Sequence, residues 1–283
     1  MISICRAPEN SLTSTIQNVF GGFCSITAPA QSERGAAKKI PTNMNIVSPA
    51  HGWQWIVGAF TLFRKNPLTW IVLHLLLMLI GFGLGMLPVI GPSLFYLLTP
   101  LFLGGLMCAA KDLESGKEIQ IAHLFRGFHQ NTSNLIAVGG VYMVGELVVS
   151  GVMRMLGGEE LNAVMEAGIG SIDPARVTPE VASRMLLVML VGLTMFVPLM
   201  MATWFSPTRV MLDNQLPFAA MSESFRACLR NMPAFLIYGV WNVLLLIAAL
   251  MPFGLGMALW IPVMVLSTYT SYRDVFAATP AQA

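Results

Sequence analysis

Three polar side chains interrupt long apolar stretches of the sequence, and these are the first candidates for chemistry. Glu146 lies near the middle of the apolar stretch 134–155, where a carboxylate inside a bilayer costs at least about 2.5 kcal/mol. It is either a proton or cation site or a hydrogen-bonded packing contact. His74 and Asn242 are the next most polar residues within such stretches. Each is a candidate partner of Glu146 or a side chain that makes an interhelical hydrogen bond.

Three basic residues each follow a proline by eleven positions. The pairs are Pro100 and Lys111, Pro198 and Arg209, and Pro262 and Arg273. One interpretation is a three-fold basic ring that contacts anionic lipid headgroups at one face of a membrane. The other is that each cation anchors the end of a helix by extending toward the membrane surface.

The remaining residue types form no constellation that would support catalysis or metal binding. The four cysteines share no metal or redox spacing and are predicted to be reduced and structural: Cys5, Cys24, Cys108 and Cys228. Methionines within the apolar stretches are assigned to packing. His123 and His129 are six positions apart, so they would not share a helix face. The sequence therefore predicts no enzyme, no metal site and no cofactor.

The composition predicts an integral membrane protein. Of the 283 residues, 55% are hydrophobic and only 11% are charged, and the mean hydropathy is +0.69. This is too little charge to solvate the surface of a soluble globule. The 16 basic and 14 acidic residues leave a formal net charge of +2, which gives no basis for nucleic-acid binding. We expect an all-α, polytopic membrane protein.

Six apolar stretches have the length that an α-helix needs to cross the hydrocarbon, about twenty residues. They cover 67–86, 93–110, 134–155, 185–205, 234–251 and 253–272. Tight turns join the first pair and the last pair, and an acidic loop, 156–184, joins the middle pair. We predict six transmembrane helices in three hairpins, within a domain 51–276. The flanks are a disordered N-terminal segment, 1–50, with Met44 as a candidate translation start, and a polar tail, 277–283.

An amphipathic stretch precedes each hairpin and predicts a helix on the membrane surface. The apolar positions are Trp53, Ile56, Phe60 and Phe63 in the first, Ile121, Leu124, Phe125 and Phe128 in the second, and Phe218, Met221, Phe225, Leu229 and Met232 in the third. The stretches close on related phrases: Phe-Arg-Lys-Asn-Pro at 63–67, Phe-His-Gln-Asn-Thr at 128–132 and Leu-Arg-Asn-Met-Pro at 229–233. These phrases and the proline-to-cation offset indicate three pseudo-repeats and suggest a pseudo-three-fold bundle.

The distribution of lysine and arginine predicts the orientation of the chain. Thirteen of them lie before the first span, after the last, or in the two connections between hairpins. The other three, Arg154, Arg176 and Arg184, lie in or beside the acidic loop. By the positive-inside rule, both termini and the three amphipathic helices are cytoplasmic.

Four short segments carry a resemblance to known proteins. They are Gly-Trp-Gln-Trp-Ile at 52–56, Leu-Phe-Arg-Lys-Asn-Pro at 62–67, Ser-Pro-Thr-Arg at 206–209 and Tyr-Arg-Asp-Val-Phe at 272–276. Together they resemble a family of uncharacterised proteobacterial inner-membrane proteins. The helix-plus-hairpin repeat is more distantly similar to the membrane domain fused to some bacterial glycerophosphodiester phosphodiesterases. The resemblance implies a six-span inner-membrane fold without the catalytic domain, from about residue 50 onward.

Two functions fit these observations. The first is a non-enzymatic inner-membrane protein whose amphipathic helices hold it against anionic lipid or a partner, either another protein or a second copy. The second is a transporter or channel component that uses Glu146. Three parallel copies do not divide into two inverted halves, which makes inverted-repeat transport the less natural geometry.

Overall fold

The computed structural model describes residues 44–87, 90–167 and 178–276, apart from the side chains of 160, 161 and 164–167, and within these ranges the chain is helical without a strand. A 3-10 helix, Ile121–Phe128, separates the third and fourth of the α-helices in these ranges. The α-helices are α1 (His51–Lys65), α2 (Pro67–Gly85), α3 (Ile90–Glu114), α4 (Thr132–Ala167), α5 (Pro179–Trp204), α6 (Ser206–Asp213), α7 (Pro217–Arg230), α8 (Met232–Leu250) and α9 (Met257–Phe276). The all-α prediction is confirmed, while the predictions for 1–43 and 277–283 lie outside the described residues.

Five segments in the described part of the chain are long and apolar enough to cross a membrane. They are Pro67–Gly85, Ile90–Glu114, Thr132–Glu159, Pro179–Asp213 and Met232–Leu250. Helix α9 is not one of them, although the sequence predicts a sixth span at 253–272. The reason is its second half, in which Arg273 and Asp274, together with several polar residues, lower the hydropathy. Three of the polar side chains, Ser267, Thr270 and Ser271, are buried within the protein.

Helix α3 is the most enclosed of the five candidate spans. About 56% of its most apolar window is buried within the protein, against 11% to 22% for the other four. The larger core cluster lies where α1, α2, α3, α8 and α9 meet, and a smaller one joins α3 to α4, α6 and α7. The outer helices therefore leave most of their apolar side chains uncovered by protein, as expected for surfaces that face lipid.

One helix bends at a glycine, and another ends just before a proline that starts the next helix. Helix α4 kinks at Gly158, whose φ of 71° lies in the left-handed region that glycine tolerates. The short helix predicted near 161–167 is the continuation of α4 beyond this kink. The predicted span 185–205 ends at Trp204, and the chain restarts as α6 with Pro207 in its first turn. Arg209 therefore lies on a separate short helix, whereas Lys111 and Arg273 lie on α3 and α9 themselves.

We call α1, the 3-10 helix and α7 the entry segments, because each precedes the first helix of a predicted hairpin. The first entry segment, α1, packs against α8 and α9 and buries Ile56 and Phe63, but it leaves Trp53 and Phe60 exposed. Gly52 makes the contact with α8 close, because a Cβ at that position would lie 2.3 Å from the carbonyl oxygen of Ala234. Only half of the predicted stripe therefore points away from the protein.

The second entry segment is a 3-10 helix rather than the predicted α-helix. It lies against α3 at Gly105, where a Cβ would meet the carbonyl oxygen of His123 at 2.3 Å. Leu124 is fully buried, whereas Ile121 and Phe125 are exposed. In a 3-10 helix the side chains three positions apart eclipse each other, so the predicted four-residue stripe cannot form one buried face.

The third entry segment, α7, packs against the protein mostly through small side chains. Its buried residues are Ala220, Met221, Ser224, Ala227 and Cys228. Phe218 and Leu229, which the sequence places on the apolar stripe of a membrane-surface helix, are 73% and 54% exposed. Small side chains allow the helix to approach its neighbours closely, so these two large side chains remain on its outer face.

An asparagine begins the first helix of each hairpin. Asn66, Asn131 and Asn231 accept, through their backbone oxygens, the first-turn bonds from Trp70, Leu135 and Phe235. Each asparagine belongs to one of the three related phrases of the sequence. The phrases therefore mark equivalent positions, at which an entry segment ends and a long helix starts.

The segment just before α1 is held by the protein. The side-chain oxygen of Asn231 accepts a hydrogen bond from the backbone of Val47 at 2.8 Å, and its amide donates to the backbone oxygen of Asn45. The backbone of Asn45 also donates to the oxygen of Val275 at 2.9 Å, near the end of α9. The disorder predicted for 1–50 therefore does not extend to residues 45–47.

Candidate functional site

We call the polar ends of α3, α6 and α9 the exits. At the first exit, Asp112 accepts hydrogen bonds from three side chains of the following segment. Arg126 approaches at 2.7 Å, Lys117 at 3.1 Å and His123 at 3.3 Å. The hydrogen bond to Asp112 raises the pKa of the Arg126 guanidinium. Asp112 therefore fastens the end of α3 to the second entry segment.

The second exit contains the most deeply buried charge among the described residues. Arg209 is only 2% exposed and donates to Asp213 at 2.6 Å and to Glu223 of α7. Its guanidinium carbon lies 4.3 Å from the centroid of the Phe276 ring, a cation–π contact. Its Nε atom is buried without a hydrogen-bond partner. Two carboxylates and an aromatic face thus surround one guanidinium.

The third exit joins the end of the chain to its beginning. Asp274 of α9 accepts a hydrogen bond from Trp55 Nε1 at 2.8 Å and lies 2.6 Å from His51 Nδ1. The neighbouring residue, Arg273, forms an ion pair with Glu114 at the end of α3. Tyr269 donates to the same Glu114 carboxylate at 2.6 Å.

The exits form a closed order. The first exit contacts the second entry segment. The second exit contacts the third entry segment through Glu223, and the third exit contacts the first entry segment, α1, through Asp274. Tyr272 also donates from α9 to Asp213 at 2.8 Å, which ties the third exit to the second. The first two links join neighbours in sequence, but the third spans more than 200 residues.

The three predicted headgroup contacts do not occupy equivalent environments. Lys111 is exposed, and Arg273 is half-exposed while paired with Glu114. Arg209 is enclosed by protein carboxylates, so a lipid headgroup cannot reach its guanidinium in this structure. The offset from a proline places all three cations at exits, but it does not make them a ring open to the membrane.

Glu146 lies beside two tyrosines of the α3–α4 pair. The rings of Tyr96 and Tyr142 meet edge to face with their centroids 5.7 Å apart. The carboxylate is close enough to interact electrostatically with both phenols. Its Oε2 atom is buried and has no hydrogen-bond partner. Glu146 is therefore an acid within a candidate span, and it forms no ion pair among the described residues.

The structure does not bring Glu146, His74 and Asn242 together. His74 is buried on α2, where its Nδ1 atom lies 2.8 Å from the backbone oxygen of Trp70, and it faces α9. Asn242 lies on α8, and its amide donates to the backbone oxygen of Tyr238 at 2.9 Å. The three polar residues thus have three separate sets of neighbours.

The cysteines that the structure describes are free and buried. They are Cys108 in α3 and Cys228 in α7. Burial raises the pKa of the Cys228 thiol to about 12, so it stays protonated at neutral pH. No group of three or more His, Cys, Asp or Glu side chains that could hold a metal ion occurs among the described residues.

Sequence reasoning missed the partners that complete the exits. The missed partners are Asp213, Glu223 and Tyr272, which surround Arg209 or its neighbours, and Trp55, which binds Asp274. Of these, only Asp213 has a local spacing to its partner, since it follows Arg209 by four positions on α6. The other three come from helices different from those of the residues they contact. Asn231 could have been found, since an asparagine recurs in all three related phrases.

The fold and its apolar helices define an integral membrane protein. The chain is similar to a probable inner membrane protein of Burkholderia thailandensis, at 29% identity over 206 residues that cover 71% of this chain and 75% of the relative. No known protein-family profile matches the sequence. No solved structure matches it either.

Proposed function

We propose that this chain is a non-enzymatic, six-span protein of the bacterial inner membrane whose entry segments bind anionic phospholipids at the cytoplasmic face. The similarity to a probable inner membrane protein supports the location. The observation that carries the lipid-binding role is the outer face of α7. On it, large apolar side chains and arginines are exposed together.

Helix α9 fits the role of a sixth span. Its 20 residues would extend about 30 Å, the thickness of the hydrocarbon. Its polar groups bond to protein rather than lipid: Tyr238 pairs with Ser267 at 2.5 Å, and Thr270 donates to the backbone oxygen of Trp55 at 2.8 Å. A span whose polar side chains are satisfied inside the bundle is stable in a bilayer despite a modest hydropathy.

The equivalent asparagines and the closed order of the exits support three repeats. If the six spans alternate across the membrane, all three exits and all three entry segments lie on one side. That side carries 13 of the 16 lysine and arginine residues, which favours the cytoplasm. A phosphatase reporter that is active only outside the cytoplasm, fused after Ala283, should stay inactive; strong activity would contradict the proposed topology.

The exposed face of α7 is suited to a membrane interface. Phe218 and Leu229 point outward, and Arg226 and Arg230 are exposed beside them. Apolar side chains on such a helix insert among acyl chains, while arginines contact phosphates. In α1, Arg64 lies 6.0 Å from the ring centroid of exposed Phe60, which repeats the combination.

The lipid-binding proposal predicts a headgroup preference that depends on these arginines. We expect the purified protein in detergent to bind phosphatidylglycerol more tightly than phosphatidylcholine. Each basic residue near an anionic surface contributes about 1 kcal/mol, so the double change Arg226→Gln and Arg230→Gln should weaken phosphatidylglycerol binding by about thirty-fold. Arg184→Gln, an exposed change on α5, is the matched control. Equal affinity of all variants for both lipids would refute the proposal.

A second candidate function is cation or proton passage through Glu146. The observation that favours it is the unpartnered carboxylate oxygen beside Tyr96 and Tyr142. Protein reconstituted into vesicles should then show a pH-dependent flux that Glu146→Gln abolishes and Asn242→Gln does not. Absence of any flux in the wild-type protein would remove this candidate.

A further inference from the structure

A small cavity between α2 and α9 contains a buried histidine, and the cavity is open on the outer face of α2, where Leu75 and Met78 are exposed. Its volume is about 130 Å³, and it lies between residues 71–78 of α2 and 257–262 of α9. His74, which lines it, is 4% exposed. Met78 and Met257 also line the cavity, and every other lining side chain is a hydrocarbon.

The hydrogen bonding of His74 leaves one ring nitrogen available. Nδ1 lies 2.8 Å from the backbone oxygen of Trp70, and a carbonyl only accepts, so Nδ1 carries the hydrogen. In the neutral ring Nε2 then carries a lone pair and no hydrogen, and this atom is buried without a hydrogen-bond partner. Metal-binding histidines show the same arrangement, in which a backbone carbonyl orients the ring and the second nitrogen is the ligand.

The cavity walls give little reason for water to occupy it. A buried water needs two to four polar partners, whereas His74 is the only polar side chain in the lining. A metal ion, in contrast, binds to electron-pair donors alone. The two methionine sulfurs are such donors, although they are only weak hydrogen-bond acceptors for water. The set of one imidazole and two thioethers, without a carboxylate, selects a soft metal ion.

We propose that this cavity binds a soft monovalent metal ion of the Cu(I) class, through His74 Nε2 and the sulfur atoms of Met78 and Met257. Met78 follows His74 by one helical turn, so the two side chains share a face of α2. Met257 contributes the opposite wall from α9. Because the ring already carries its hydrogen on Nδ1, binding at Nε2 releases no proton.

The position of the cavity gives the ion a route of entry. Met257 is the first residue of α9, next to the turn after α8. Two exposed methionines, Met86 and Met251, lie where α2 and α8 end at their own hairpin turns. Soft side chains are thus present at the turn end of the protein as well as in the cavity, whereas the charged exits lie at the other ends of α3 and α9.

Silver(I) is a suitable probe, because it shares the ligand preference of Cu(I) and does not change oxidation state under these conditions. Thiols bind Ag(I) more tightly than imidazoles or thioethers do, so the four cysteines are first changed to alanine. We expect this purified full-length variant in detergent to bind one Ag(I) in competition with a chromophoric chelator, and the substitutions below are made in it. His74→Ala should abolish this binding. Met78→Leu and Met257→Leu, which preserve side-chain volume, should each weaken it by at least about ten-fold. Zn(II) should not compete.

Met189→Leu is the matched control, because Met189 is an exposed methionine on α5, outside the cavity. Its affinity for Ag(I) should equal that of the full-length variant without cysteines. If His74→Ala does not fold, the two leucine variants decide the matter, with circular dichroism as the check on folding. Affinities that are unchanged in both leucine variants would overturn the proposal.

Discussion

Polar groups at the exits and polar groups within the spans differ in how they are paired. At the exits, Asp112, Asp274 and Arg209 each bond to at least two side chains, and at least one of these lies on another segment. Arg209 leaves its buried Nε atom without a partner, but its terminal nitrogens bind two carboxylates. Within the spans, Glu146 and His74 each leave one buried atom without a partner and form no ion pair among the described residues. Ion-paired clusters hold helices in place, whereas an unpartnered buried atom lowers stability and is a candidate ligand site. The exits therefore carry structure, and the spans carry the candidates for ion binding.

The substitution Arg209→Met tests this contrast with the largest expected change in stability. The substitution leaves Asp213 and Glu223 partly buried without their cation, so we expect a loss of about 3–5 kcal/mol in the free energy of unfolding. The loss is measurable by unfolding the protein in detergent with increasing dodecyl sulfate. Arg226→Met, an exposed change on α7, should shift stability by about 0.5 kcal/mol or less. A loss below 1 kcal/mol at Arg209 would mean that the cluster does not hold the fold.

The next effect concerns the segment before α1. Asn231→Ala removes the acceptor for Val47 and the donor for Asn45 in a buried position, and we expect a loss of about 2 kcal/mol in the same assay. Asn242→Ala is the control, since that side chain makes one bond within its own helix and should cost about 0.6 kcal/mol. Equal losses for the two variants would show that residues 45–47 contribute nothing to stability.

The third test uses pH. Burial raises the pKa of Cys228 to about 12 in the folded protein, above its ordinary value of 9.0. The protonated thiol therefore stabilises the fold below pH 9, and this contribution is lost as the pH rises from 9 toward 12. Between pH 8 and pH 10 the wild-type protein should lose about 1.4 kcal/mol more than Cys228→Ala. Parallel stability curves for the two proteins would show that the thiol is open to solvent.

The smallest expected effect has the opposite sign. Glu146→Leu removes an acid with an unpartnered oxygen and should raise the free energy of unfolding by about 1 kcal/mol. Glu146→Gln keeps the polar group and should change it less. Destabilisation of the leucine variant by more than 1 kcal/mol would place Glu146 with the paired groups of the exits.

Much of the helix plan follows from the sequence. The ends of α2, α3 and α8 lie within a few residues of the predicted spans, because apolar length is a strong local signal. The prolines that define the offset to Lys111, Arg209 and Arg273 all lie inside helices, at Pro100, Pro198 and Pro262.

Hydrophobicity alone does not predict which side chains are buried in the protein, because an apolar side chain can contact either lipid or protein. In α7 the predicted apolar stripe does not form one face: Phe218 and Leu229 point outward, whereas Met221 packs inward together with Ser224 and Ala227. In α9 the charged Arg273 and Asp274 lowered the hydropathy of the helix, and the buried serines lowered it further. A sequence shows how apolar a residue is, but only the fold decides whether protein or lipid surrounds it.

The sequence identifies individual candidate site residues, but it does not show which of them lie close together in the structure. Glu146, His74 and Asn242 were selected by their cost in a bilayer, and the structure gives each different neighbours. The grouping of His74 with Met78 and Met257 depends on α2 lying against α9. That contact joins residues about 180 positions apart, which no local pattern encodes.

The bonds between α1 and α9 have a consequence for synthesis of the protein. Trp55 and His51 leave the ribosome more than 200 residues before Asp274, to which both side chains bond. Until α9 is made, α1 lacks one of the helices against which it packs, and we expect insertion machinery or a chaperone to shield its uncovered side chains. A chain that stops before α9 would leave these side chains uncovered permanently, so we expect quality-control proteases to distinguish it from the complete protein.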